Sequence, residues 1–243
     1  MHLVTTSWAL DLVCLTETWL SPEVDSKLVD IDGFNLFRTD RIDRRGGGTA
    51  IYTRVQYPAK EFVTLKLPTS AFEGTFVDLP TLNVSIFCVY IPPNLKSEIL
   101  KKIRDDITNT TDDFLNIHPN RNLIFLGDFN DFNVNRLSLD LNLTDIVDKP
   151  TRGLNILDHI LISEDLIHHY QPSKLLYESP IGKSDHLSLV AIPECNQRKL
   201  SDFRQHVVYD YRSSNLATLI QNAESFDWEA IKNLNLAYGD GYT

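Results

Sequence analysis

Eight short apolar runs limit what this chain can fold into. Leu12–Thr16, Phe34–Arg38, Gly48–Arg54, Glu61–Leu67, Leu82–Ile91, Asn122–Leu126, Leu157–Ser163 and His186–Ile192 are each rich in Val, Ile, Leu, Phe or Tyr. Runs of this length and composition, separated by polar loops, read as strands. Gly46-Gly47-Gly48 punctuates the entry to one, and Ile91-Pro92-Pro93 ends another, because proline cannot donate to a ladder. Only two stretches carry a helical pattern. Ile99, Ile103, Ile107 and Phe114 recur at near-helical spacing between Leu95 and Ile117, closed by His118-Pro119, and a weaker pattern runs over Ser214–Ile231. Many strands with few helices predict an α/β fold of the α+β type, two mixed β-sheets packed as a sandwich with helices outside.

At 243 residues and 42% apolar content, the chain is long enough for one large domain with an extensive core. That domain is expected over residues 1–193, with a linker or tail over 194–243, where the pattern turns polar. A formal net charge of -10 argues against nucleic-acid binding by bulk electrostatics, so any such binding must be local or metal-assisted. Cys14 and Cys88 lie in apolar runs and Cys195 follows the last one; with no zinc-like spacing, they read as reduced thiols of an intracellular protein. The first fifteen residues lack a basic leader and a cleavage site, and no apolar run approaches a membrane span, so neither secretion nor membrane insertion is expected.

Chemistry concentrates at strand ends. The stretch Ile124-Phe-Leu-Gly-Asp-Phe-Asn-Asp-Phe-Asn133 begins as a buried strand and breaks into carboxylates and amides. If the backbone stays extended through Phe129, Asp128 and Asn130 share a side, a pairing suited to orienting a water and holding a phosphate oxygen. The same residues also suit an Asx-turn. Glu17 follows the apolar run Leu12–Leu15, Asp158-His159 interrupts Ile156–Ile162, and Ser184-Asp185-His186 precedes the last run. A buried Asp158 requires a partner such as an N–H or an imidazole. Together these clusters suit hard-cation phosphoester chemistry, since Mg²⁺ takes oxygen ligands and needs only one or two carboxylates beside a substrate phosphate. Asp128 or His186 would then handle the attacking water.

The chain resembles the endonuclease/exonuclease/phosphatase superfamily, and within it the apurinic-type endonuclease domain of non-LTR retrotransposons. The likeness runs from about Leu10 to Ile192. It rests on Leu15-Thr-Glu-Thr-Trp-Leu20, Gly33-Phe-Asn-Leu-Phe-Arg38, Arg44-Arg-Gly-Gly-Gly-Thr-Ala-Ile-Tyr52, Val89-Tyr-Ile-Pro-Pro93, Phe125-Leu-Gly-Asp-Phe-Asn130, Lys149-Pro-Thr-Arg152, Leu157-Asp-His-Ile-Leu161 and Ser184-Asp-His186, in the family's order. The resemblance implies that Glu17 holds the metal with help from Asp185, that Asp128 and Asn130 position the water and the scissile phosphate, and that Tyr90 contacts that phosphate. It further implies that Asp158 orients His186, which binds phosphate or acts in acid–base chemistry; carboxylate-to-imidazole orientation also has its own physical warrant. His159 reads as packing.

The family places a first strand, ending in an Asn, ahead of the Glu17 strand. Only about ten residues precede Leu12 and none is Asn, so the resemblance implies a chain without that strand. Arg38, Arg41, Arg44 and Arg45 bracket the triple glycine, and Arg152 precedes Asp158. Of these, Arg44, Arg45 and Arg152 are the expected contacts to a DNA backbone. The resemblance thus implies a Mg²⁺-dependent (or Mn²⁺-dependent) DNA endonuclease that leaves a 3′-hydroxyl primer. DNA and a reverse transcriptase domain are its partners and the nucleus its place of action. The alternatives are another phosphoesterase of the superfamily and a non-catalytic remnant that binds DNA.

Overall fold

The computed structural model describes residues 10–42, 44–61 and 71–194, together with Gln221. The elements are β1 (Leu12–Thr16), β2 (Phe34–Thr39), β3 (Thr49–Arg54), β4 (Lys60–Glu61), β5 (Glu73–Leu79), β6 (Val84–Tyr90), α1 (Ser97–Ile117), β7 (Asn122–Asp128), α2 (Val134–Leu141), β8 (Leu143–Asp145), β9 (Asp158–Ser163), β10 (Leu176–Glu178) and β11 (Ser188–Val190). Six of the strands form one sheet in the order β4-β5-β6-β7-β9-β8. Its one parallel pair is β6–β7, the pair that α1 connects, as a parallel neighbour requires a long crossover.

Strand alternation divides the apolar side chains between the two faces of this sheet. Phe76, Phe87, Phe125 and Leu161 lie on one face beneath Ile103, Ile107 and Phe114 of α1. The rings of Phe76, Phe87 and Phe125 stack across three strands at 3.7 and 4.0 Å. Each such buried ring contributes roughly 1.5–3 kcal/mol of apolar transfer. Val77, Leu79, Ile86 and Cys88 on the opposite face pack against Ile51 and against Leu12, Cys14 and Phe37 of the three-stranded sheet β1-β3-β2. Further along that face, Ile160 and Ile162 pack against Tyr177 and Leu189 of the β10–β11 pair. The sandwich is therefore the expected one, except that its second layer is two antiparallel pieces rather than one mixed sheet.

Three strands and one helix escape the apolar pattern. In β5, Glu73 and Asp78 interrupt the run, yet both are buried because Arg41 and Arg121, distant in sequence, reach their carboxylates at 2.6 and 3.0 Å. The segments β8 and β10 span three residues each, too few for a period to show. Asn133 caps the eight-residue α2 by accepting the Arg136 N–H. Leu82 belongs to a 3-10 turn, and Asn83 takes a left-handed φ of 54° before β6 starts at Val84. Of the expected strand Glu61–Leu67 only Glu61 is described; Cys195 and the expected helix Ser214–Ile231, save Gln221, lie outside the described residues. Cys14 and Cys88 are free thiols. Among the described residues, no helix is long and apolar enough to cross a membrane.

Candidate active site

Sheet register builds the site. Glu73 pairs with Tyr90, Tyr90 with Asp128, and Asp128 with Asp158, so four polar residues form one row across β5, β6, β7 and β9. Directly paired residues point to the same side of a sheet, here the side that faces the β1-β3-β2 layer. Immediately before Asp128, Gly127 has φ 139°, and a Cβ there would lie 1.9 Å from the Val89 carbonyl oxygen. Glycine thus allows β7 to approach β6 at the position that delivers Asp128.

Across the sandwich, the chain leaving β1 turns sharply. Glu17 and Trp19 adopt φ of 53° and 56°, unusual for non-glycine residues. The Thr18 and Trp19 N–H groups donate to Gly48 and Gly47, which ties this turn to the triple glycine. A Cβ on Gly47 would lie 2.4 Å from the Arg41 guanidinium, so the glycine turn closes directly over that side chain. Arg41 in turn grips Glu73 through two bonds of 2.6 and 2.8 Å and lies 5.4 Å from the centre of the Tyr90 ring.

The ionisable groups are strongly interdependent. Nδ1 of His186 lies 2.7 Å from Oδ2 of Asp158. Asp128 is buried, and its carboxyl is pushed up to about 6, first by burial and then by the Asp158 charge, with Glu17 adding to it; the His186 charge and the Asn130 N–H act in the opposite direction. The Tyr90 hydroxyl is raised too, first by burial, then by its hydrogen bond to Glu17 and by the charges of Glu17 and Asp128. It therefore remains a protonated donor.

One expected geometry is overturned. The strand ends at Asp128, and Asn130 takes φ 46°, so the two side chains do not share a side through an extended Phe129. The turn alternative is what forms: the Asn130 N–H donates to Asp128 Oδ1 at 3.1 Å, and its amide donates to the Ile91 carbonyl at 2.9 Å. Asp128 thereby gains a bond that favours its charged form. The basic cluster also divides. Arg38 donates to the Val24 carbonyl and Arg41 is held by Glu73, while Arg44 and Arg45 are exposed. Arg152 bonds Asp185 through Nε and a terminal nitrogen at 2.8 and 2.7 Å, and Asp185 Oδ1 lies 4.0 Å from His186 Nε2.

Sequence reasoning passed over three contributors. Thr151, fully buried, accepts the N–H groups of Leu157 and Asp158 at 3.1 Å, while its carbonyl accepts from Leu187, joining the Asp158 and His186 segments. Glu73 was hidden because its strand was not legible. Trp19, part of the Glu-Thr-Trp motif, donates its indole N–H to Glu17 Oε2 at 2.6 Å. His159 points to the other face, where its Nδ1 lies 2.6 Å from Asp145 Oδ2 and its ring meets Phe129 edge-on.

Among the described residues, Asp128, Asp158 and His186 bring ligand atoms within 4.8 Å of one another. The donors fit a divalent cation. Two close carboxylates, one of them buried and raised by its neighbour's charge, leave negative charge that a cation would offset, and oxygen donors suit a hard ion.

The fold has relatives of several activities. It matches the endonuclease domain of TRAS1, a telomere-specific non-LTR retrotransposon, at 16% identity over 75% of this chain and 85% of that one, with a TM-score of 0.54. A 3′ phosphatase from Neisseria, bound to a product DNA hairpin, is 18% identical over 76% and 89% with a TM-score of 0.55. A mannosyl-6-phosphatase from Bacteroides thetaiotaomicron is 15% identical over 74% and 85% with a TM-score of 0.50. No curated protein matches the chain in sequence. Residues 4–186 match the Endonuclease/Exonuclease/phosphatase family, and the chain belongs to that family of phosphoester hydrolases.

Proposed function

We propose that this chain is a divalent-metal-dependent DNA endonuclease that nicks one strand and leaves a 3′-hydroxyl, which primes reverse transcription by an associated polymerase in the nucleus. The observation that supports phosphodiester hydrolysis is the convergence of Asp128, Asp158 and His186, whose ligand atoms lie within 4.8 Å of one another. Glu17 would hold Mg²⁺ or Mn²⁺, with Asp185 assisting from the rim, while Asp128 faces the attacking water. When bound, the cation polarises the scissile phosphate.

The chain's own groups supply the rest. Asp158 accepts the Nδ1 proton of His186 and stabilises the cationic ring, whose Nε2–H would donate to a phosphate oxygen. Asp128, buried at the end of β7 and held by the Asn130 N–H, would orient the attacking water and take its proton. Asn130 holds Asp128 from behind, and the protonated Tyr90 hydroxyl would donate to charge developing nearby. Exposed Arg44 and Arg45 meet the DNA backbone, as does Arg152 on release from Asp185.

Nicking of supercoiled plasmid in Mg²⁺, lost in EDTA and in His186→Ala, is the expected result. A folded chain that leaves plasmid intact but releases phosphate from sugar phosphates would replace this reading with a small-molecule phosphatase. A folded chain that binds DNA without cleaving it would leave a binding remnant.

A further inference from the structure

We propose that Trp19 and Arg45 form a nucleobase-stacking subsite beside the scissile phosphate, by which the site prefers a base-bearing strand to a baseless phosphoester. This rests on the DNA-cleaving reading above and adds a substrate determinant to it. Trp19 is 55% exposed, an unusual state for so large an apolar side chain, and it takes no part in the sandwich core. It is nonetheless held in place. Its indole N–H is bound to Glu17, its backbone N–H donates to Gly47 at 2.9 Å, and the Arg45 guanidinium lies 5.1 Å from the ring centre. A Cβ on Gly46 would sit only 3.8 Å from the indole, in ordinary contact, so the glycine turn runs alongside the ring.

The left-handed backbone at Glu17 and Trp19 carries a conformational cost that no core contact of Trp19 offsets. Strain of this kind is retained where a side chain must be presented in one place. The carboxylate that anchors the indole is Glu17, whose charge also bears on Tyr90 and Asp128, so the ring stands one hydrogen bond from a residue of the site. A flat, fixed aromatic surface suits the π-face of a base, and every base has one. Arg45 and the neighbouring exposed Arg44 complement the phosphates on either side of that base. A protein partner docking on an apolar surface is the competing occupant, but the group shown against the indole face is a cation, Arg45.

The test reads binding and cleavage separately. Intrinsic fluorescence of the wild-type chain in EDTA is titrated with a deoxyoligonucleotide and with a backbone of equal length carrying tetrahydrofuran in place of every nucleoside. The chain contains Trp8, Trp19 and Trp228, so Trp19→Phe identifies the responding residue. Quenching by the base-bearing strand only, absent in Trp19→Phe, is expected. In plasmid nicking, Trp19→Leu should raise KM about ten-fold, within the range of base–aromatic stacking. Trp19→Phe should keep KM within about three-fold, since a phenyl ring still stacks, while kcat falls because Glu17 loses its indole donor.

Equal binding of both strands, together with a wild-type KM in Trp19→Leu, would overturn the subsite while leaving the endonuclease reading intact. Base-dependent quenching without any nicking would do the reverse. If Trp19→Leu does not fold, as judged by its thermal transition, the quenching comparison between wild type and Trp19→Phe decides the matter.

Discussion

Nδ1 of His186 and Oδ2 of Asp158, separated by 28 residues in the chain, meet at 2.7 Å. The pair depends on Thr151, which holds the Asp158 N–H with its hydroxyl and the Leu187 N–H with its carbonyl. Asp158→Asn keeps the shape but reverses the preferred tautomer, and is expected to lower nicking by roughly 10²–10⁴-fold, as is His186→Ala. Single-turnover cleavage rates measure this. Wild-type rates in Asp158→Asn would remove Asp158 from the mechanism.

Asp128 makes stability depend on pH. Its folded carboxyl titrates at about 6, above the roughly 3.9 of an unfolded chain, so the folded state holds this proton more tightly. The metal-free protein should therefore lose stability as pH rises from about 4 to about 6 and carry the full cost, up to about 3 kcal/mol, above that range. In EDTA near neutral pH, Asp128→Asn should raise Tm, and the gain should vanish below about pH 4. A gain that persists in acid would show that the charge is not responsible. Added Mg²⁺ should raise Tm of the wild type more than that of the variant.

Gly127 admits no side chain. Gly127→Ala drives a Cβ into the Val89 carbonyl near the end of the β6–β7 pair and should destabilise by on the order of 4 kcal/mol, read as a lower urea midpoint or loss of soluble protein. Gly153→Ala, where nothing lies within 4 Å but φ is +57°, should cost only about 1 kcal/mol. Comparable losses in the two variants would contradict the contact argument.

The ion pair of Arg41 and Glu73 is nearly excluded from solvent, with side chains 7% and 6% exposed. Removing one partner leaves a buried charge, so Arg41→Met and Glu73→Leu alone should each cost about 3–5 kcal/mol, and the double variant should recover much of that loss. Urea denaturation of the three variants tests the coupling. Additive losses would mean that the two side chains act independently.

The chain's own residue order was sufficient for the strands of the sandwich core. Val, Ile, Leu and Phe in short runs mark β1, β2, β3, β6, β7 and β9, because burying those side chains in a sheet is the dominant gain whatever the partner strand. The polar interruptions at Glu17, Asp128, Asp158 and His186 were legible for the complementary reason: a carboxylate or imidazole at the end of a buried strand needs a partner. Tertiary contact decided which partner. Thr151 anchors the Asp158 backbone while His186 meets its carboxylate, a left-handed Asn130 turns back onto Asp128, and Arg41 leaves the basic surface to neutralise Glu73 on a strand whose charge had concealed it. The Asn130 turn is local and was one of two geometries its sequence allowed; the bonds of Thr151 and Arg41 join segments brought together only by sheet register and sandwich packing, and neither residue of such a pair carries the other's address in its local sequence.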